Sequence, residues 1–303
     1  METVLEREGI TPSKKKKVIG IIILILFALV SGILFGMLYV NFAYASTTDF
    51  SGYSEVGLRD NENEIMSKFG SSPVGSLNGV NAFIIAENKL AEHSHITMQA
   101  EGSINAAGVK QTMYTTRYKN DAAYYVENIS KGKVVMGIDT NIAERDYYDE
   151  ASKTVKVYKG TNIQDTSATF KELTEQISLD EWKEKNGTTP ISFQPYIVST
   201  KTINDASKPT NCTLENGKQG FSFKISLAAS GAFLYVKQIK NLSGLGDYPS
   251  FLKIHLEVFL NEDGTFNKIV VDERYKVKKG IWVETVSEMI YRFNYTSTEI
   301  PQI

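Results

Sequence analysis

Cysteine is almost absent from this chain. Cys212 stands alone among 303 residues, so no intrachain disulfide can form and the fold must rest on its core. Histidine is scarce too, with three in all. His93-x-His95 has no cysteine or third ligand at a zinc-site spacing and reads as a solvent-facing pair. Neither sign of charge dominates: 33 basic residues stand against 35 acidic ones. No basic stripe is interleaved with aromatics, which argues against a nucleic-acid partner. There is no G-x-S-x-G and no glycine-rich loop ending in Lys-Ser/Thr. Cys212 lies in the polar stretch TNCTLENG without an identifiable base. No catalytic residue, cofactor site or metal site is expected, and the chain reads as a non-enzyme. Asp146, Asp149 and Glu150, around Tyr147-Tyr148, read as a solvated hairpin end.

What is present begins with an uncharged run. Lys14–Lys17 lead directly into VIGIIILILFALVSGILFGMLYV, Val18–Val40. As a helix this run spans roughly 34 Å, enough to cross a hydrocarbon core of about 30 Å. Basic residues cluster before it, and the next one after it is Arg59. Residues 1–17 are therefore expected in the cytoplasm and the rest beyond the membrane. The lysine cluster can also attract anionic membrane lipids. Ala43-Tyr44-Ala45 has the form of a signal-peptidase site. The apolar run exceeds a secretory h-region, so an uncleaved anchor is expected, with cleavage after Ala45 as the alternative. Ala28, Gly32 and Gly36 form a small-xxx-small ridge on one helix stripe. Such a ridge allows a helix partner or a homodimer in lipid.

Beyond the span, residues 41–79 read as a stalk and linker, rich in Ser, Gly and Pro, with a short helix over Asn63–Phe69. A helix is expected over Val80–Glu92, where Ala82, Phe83, Ile85, Ala86 and Leu90 share a stripe. From Ile96 the period changes to two. A meander of strands follows to Gly160, with turns at Asn105–Gly108, Lys131-Gly132 and Glu150–Ser152. Helices are expected over Thr169–Gln176, after a capping box from Ser178 to Glu181, and from Ser230 to about Leu242. Tyr196–Ile203 reads as a strand. Three long strands close the chain. Leu252, Ile254, Leu256, Val258 and Leu260 alternate along the first. Ile281, Val283, Met289, Tyr291, Phe293 and Tyr295 share a face of the last. An apolar sheet face of this width needs a cover.

The order is helix, meander, helices, strand, helix, three long strands. With AENKLAEHSHITMQAEGSI and FNKIVVDERYKVKKGIWVETVSEMIYRFNYT as its marks, it resembles the half-barrel of LolA-type lipoprotein carriers and LppX/LprG-type lipid-binding lipoproteins, over roughly residues 80–296. The resemblance implies an α+β domain over 80–303, a curved antiparallel sheet wrapped around covering helices. It further implies a lipid or lipid-linked ligand held in an apolar cavity. Leu252, Ile254, Leu256, Val258, Ile281, Val283, Met289, Tyr291 and Phe293 are the candidate cavity residues. The alternative is a sensory or protein-interaction ectodomain of a cell-envelope complex, with its sheet fully packed.

Overall fold

A computed structural model describes residues 49–106, 108–132, 141–186, 196–236, 247–279, 281–296 and 300–301. The Val18–Val40 run and the Ala28, Gly32, Gly36 ridge lie outside the described residues. Among the described residues, no helix is long and apolar enough to cross a membrane.

The body is one open, curved antiparallel sheet of twelve strands. Its first six strands are β1 (Ile96–Ala106), β2 (Val109–Lys119), β3 (Ala123–Gly132), β4 (Ile142–Asp149), β5 (Thr154–Thr161) and β6 (Thr169–Ser178). The remaining strands are β7 (Ile203–Ala206), β8 (Thr210–Thr213), β9 (Gln219–Leu227), β10 (Ser250–Asn261), β11 (Phe266–Lys279) and β12 (Ile281–Asn294). The order across the sheet is β6-β5-β4-β3-β2-β1-β12-β11-β10-β9-β7, with β8 beside β9. Two meanders thus meet where β1 pairs with β12, the chain's first and last strands. Turn chemistry fixes the tight connections. Gly108 and Gly264 sit at φ +81° and +82°, where a side chain would be strained.

Among the described residues, helices α1 (Glu55–Leu58), α2 (Glu62–Phe69), α3 (Gly79–Glu92) and α4 (Leu179–Asn186) accompany the sheet, and residues 233–236 are helical as well. In α3 the Asn78 side chain accepts from the Asn81 N–H at 2.8 Å, satisfying one of the orphan amides at the helix start. Its stripe of Ala82, Phe83, Ile85, Ala86 and Leu90 enters the main core with Phe223, Ile254, Leu256, Val258, Leu260 and Phe266. Phe83 meets Phe266 edge-on at 5.1 Å, and Phe266 meets Phe293 at 5.4 Å. Each such ring buried contributes roughly 1.5–3 kcal/mol by area. A second, smaller core joins Tyr148, Val155, Val157 and Trp182 under α4. Register places both cores on the same face of the sheet, called here the helix face.

Several sequence expectations need correction. Thr169–Gln176 is not a helix but part of β6. Its Lys, Glu, Leu and Gln suit helix, yet pairing with β5 overrides that preference. Lys131-Gly132 is no turn, because β3 continues through both. Residues 196–202 are irregular rather than a strand, tied down by Ile197 N–H donating to Gly231 O at 2.8 Å. The segment from Ser230 opens as a 3-10 turn, Ala229–Ala232, with no side-chain cap, and is α-helical over 233–236 as expected; the rest of the expected helix lies outside the described residues. Residues 49–79, expected as a stalk, pack on the body instead: Phe50, Leu58 and Leu77 are buried in the main core. Cys212, expected in a loop, lies on β8. The Ser178–Glu181 capping box is present, with both partners bonded at 2.8–3.2 Å.

Candidate functional site

At the edge of the main core, the helix face is less fully covered. Here β1, β2 and β12 present Ile104, Met113, Val283 and Tyr291, all half-buried, and Val277 of β11 joins them. Met289, at their centre, is buried. Gly102 makes this floor flat. A Cβ there would run into the Glu288 carbonyl of β12, and would meet the Met289 sulfur at 2.6 Å, so glycine is what lets the two strands approach this closely.

The candidate cavity residues divide into groups. Val283 and Tyr291 are half-buried in this floor, Tyr291 packing against the main core. Ile254, Leu256, Val258, Met289 and Phe293 are buried in the main core, engaged in packing. Leu252 departs from the face: a register shift between Phe251 and Lys253 turns it outward, leaving it 37% exposed. Ile281 lies on β12, but its side chain is outside the described residues.

Polar groups that the apolar pattern concealed border the floor. Thr285 and Ser287 point from β12 onto the helix face, 2% and 1% exposed; Ser287 lies beside the Glu273 carboxyl, which it hydrogen-bonds, and the Thr285 hydroxyl has no hydrogen-bond partner among the described residues. Directly across, in register, are Tyr275 and Glu273 of β11. Glu273 is 1% exposed and accepts from the Tyr196 hydroxyl. Burial pushes its carboxyl up to about 8, and nearby Ser287 only partly offsets this. Tyr235 packs on Tyr196 at 5.7 Å and on Phe251 at 6.0 Å; burial raises its phenol, as it does those of Tyr275 and Tyr291.

On the other flank stands Asp146 of β4. It is buried, not part of a solvated hairpin end, and accepts from Trp182 Nε1 at 3.1 Å. Burial pushes its carboxyl up to about 7, helped by Glu144 and opposed by the Trp182 bond. Burial lowers the Arg117 guanidinium, with Tyr291 and Asp146 opposing that shift. Glu273 was legible as the acid in the apolar alternation Ile269, Val271, Glu273, Tyr275, Val277. Ser287 and Thr285 were legible as gaps between Val283 and Met289. Asp146 carried no such signal.

The opposite, outer face carries an open groove of about 1270 Å³, lined by residues such as Glu101, Lys110, Asp205, Lys224, His255 and Glu257. Its charges pair on the surface, Lys224 with Glu257 and Lys253 with Asp272. His93 lies against the Tyr295 ring at 4.6 Å.

No family model matches the chain, and no curated protein is similar to it. Among solved structures, a DUF1329 family protein from Desulfovibrio piger aligns over 74% of this chain and 92% of its own, at 11% identity and a TM-score of 0.21. An N-terminal dehydratase from the difficidin assembly line aligns over 73% and 88%, at 13% identity and a TM-score of 0.13. Both scores lie far below those of a shared fold, so function rests on the chain's own geometry.

Proposed function

We propose that this chain is a membrane-anchored, extracytoplasmic binding domain that holds a lipid or other apolar ligand and catalyses no reaction. In this reading Val18–Val40 is the anchor, residues 1–17 face the cytoplasm, and the sheet is a LolA-like half-barrel. The floor of Ile104, Met113, Val283, Met289 and Tyr291 receives the ligand. The observation that carries the reading is the half-buried apolar surface of Ile104, Met113, Val283 and Tyr291 at the edge of the main core. A ligand site of this kind is mostly apolar with few polar anchors.

The test feeds a photoreactive fatty acid, which cells build into their acyl lipids, to cells making the full chain. Irradiation should attach label to peptides of β2 and β12 that carry Met113, Met289 and Tyr291. Label confined to Val18–Val40 would refute lipid binding by the body.

The second reading, a sensory or protein-interaction ectodomain, draws support from the charged groove on the outer face. Reversing Lys224 and Glu257 singly should then release an envelope partner while leaving lipid labelling intact.

A further inference from the structure

We propose that the polar cavity where β9 and β11 begin and β10 and β12 end is a second binding site, and that it takes an uncharged pyranose sugar. The inference stands apart from the floor and its lipid.

The cavity measures about 800 Å³, within the usual range of small-ligand sites, roughly 300–1,000 Å³. It gathers His93 from the end of α3 with side chains of the β8–β9 turn, the β10–β11 turn and the end of β12. Carboxamides dominate the lining: Asn216, Gln219, Asn261, Asn267 and Asn294. Its apolar wall is Tyr295, half-buried, and Phe293, buried.

Asparagine beside a turn often serves only the turn, so the bonds each amide already makes come first. Asn216 Oδ1 accepts from the Lys218 N–H at 3.0 Å, and Asn294 Oδ1 from the Thr296 N–H at 3.1 Å. Asn267 Nδ2 donates to Asn261 Oδ1 at 3.2 Å. Asn261 Nδ2 in turn donates to the Thr265 hydroxyl at 2.9 Å and to Phe266 O at 3.4 Å, so Asn261 is fully engaged. The other three asparagines are each fixed by one end and open at the other. Asn216 and Asn294 keep their Nδ2 donors, and Asn267 keeps its Oδ1 acceptor. Gln219 is exposed with both ends of its amide open. Among the described residues nothing takes up these open groups.

A fixed mixture of donors and acceptors selects the ligand. A hydroxyl donates once and accepts twice, so a ring of hydroxyls can meet both kinds. A carboxylate or phosphate only accepts, and would set oxygen against the Asn267 oxygen. An ammonium only donates, and would face the N–H groups of Asn216 and Asn294. The lining charges are of both signs, Lys218 against Glu262 and Asp263. Asp263 already spends Oδ1 on the Thr265 N–H and hydroxyl, at 2.9 and 2.7 Å. The C–H face of a pyranose is apolar and suits the Tyr295 wall. Because the asparagines are held by their turn bonds before a ligand arrives, ordering them on binding costs little.

The experiment uses the full chain in nanodiscs and saturation-transfer NMR. The neutral probes are the methyl pyranosides of glucose, galactose, mannose and N-acetylglucosamine. Methyl glucuronide and methyl glucosaminide are the charged rings. At least one neutral ring should bind, and more tightly than either charged ring. N216D/N294D keeps both Oδ1 acceptors, so the turn bonds survive and the variant should melt like wild type. It exchanges two open donors for acceptors and should weaken the neutral ring at least about tenfold. Gln219→Ala touches no turn bond and should weaken it about fivefold. The proposal is overturned if no neutral ring binds, or if a charged ring binds more tightly than all of them. It is overturned too if neutral binding survives both variants, which would leave the amides to the turns alone.

Discussion

The two halves of the sheet share one hydrogen-bonded ladder but are held by unequal cores. On the β9–β12 side, α3 and the 196–198 and 232–236 segments bury a continuous apolar cluster that reaches from Phe50 to Phe293. On the β3–β6 side the second core is Tyr148, Val155, Val157 and Trp182, with Tyr124, Ile177 and Leu179 beside it. Its edge strand β6 is almost wholly exposed. A ladder alone does not stabilise a sheet; a covered apolar face does. The comparison implies that the β3–β6 half opens first, from its exposed edge strand β6.

The largest expected effect tests the strong half. Phe83→Ala removes a fully buried ring that contacts Phe266, and should cost about 3–5 kcal/mol of global stability. Chemical denaturation should show one transition moved to lower denaturant, with hydrogen exchange faster everywhere. Trp182→Ala should act differently. It removes the centre of the small core and the bond to Asp146, a local loss of about 3 kcal/mol. Exchange should accelerate in 142–186 and stay slow in β10–β12. If both variants melt the whole sheet alike, the division into unequal halves is wrong.

How far these halves were legible in the sequence follows the same line. The strong half was read almost strand for strand, because Phe223, Ile225 and Leu227, or Ile269 and Val271, alternate without interruption. Asn261–Gly264 announced its turn. The weak half misled at β6, where Thr169–Gln176 carries helix-forming residues and only pairing with β5 makes it a strand. Leu252 misled for another reason: a bulge changes a side chain's face without changing the alternation. The polar border of the floor was half legible. Glu273 breaks an apolar stripe visibly, whereas Asp146 is buried only because α4 folds onto it, a contact thirty-six residues away that no local pattern encodes.

The acids beside the floor sharpen the comparison through pH. Glu273 ordinarily titrates at 4.5 and is pushed up to about 8 in the fold. The folded state therefore holds the proton more tightly. Stability from this group is full below about pH 4.5 and is lost as pH rises through about 8. Asp146, pushed up to about 7, acts with the same sign in the weak half. Wild type should melt lower at pH 8.5 than at pH 5. Glu273→Gln should flatten that slope and stabilise the chain at pH 8.5 by on the order of a few kcal/mol. Asp146→Asn should flatten only the exchange of 142–186. A melting temperature as steep in E273Q as in wild type would show that Glu273 is not the titrating group.

The smallest effect is also the most local. Ser178 ends β6 and caps α4: its hydroxyl accepts from Glu181 N–H at 3.2 Å, and Glu181 accepts in return from Ser178 N–H at 2.8 Å. That one residue joins the exposed edge strand to the helix that brings Trp182 over the small core. Ser178→Ala removes one half of the reciprocal pair and should cost about 1 kcal/mol. A loss this size barely moves a global transition held by the α3 core. It is a large fraction of whatever holds α4 down, so limited proteolysis near α4 should quicken severalfold while the β10–β12 fragment stays protected. Were the cut rate unchanged, α4 would be held by Trp182 burial alone, and the capping box would matter to the helix start but not to the cover of the weak half.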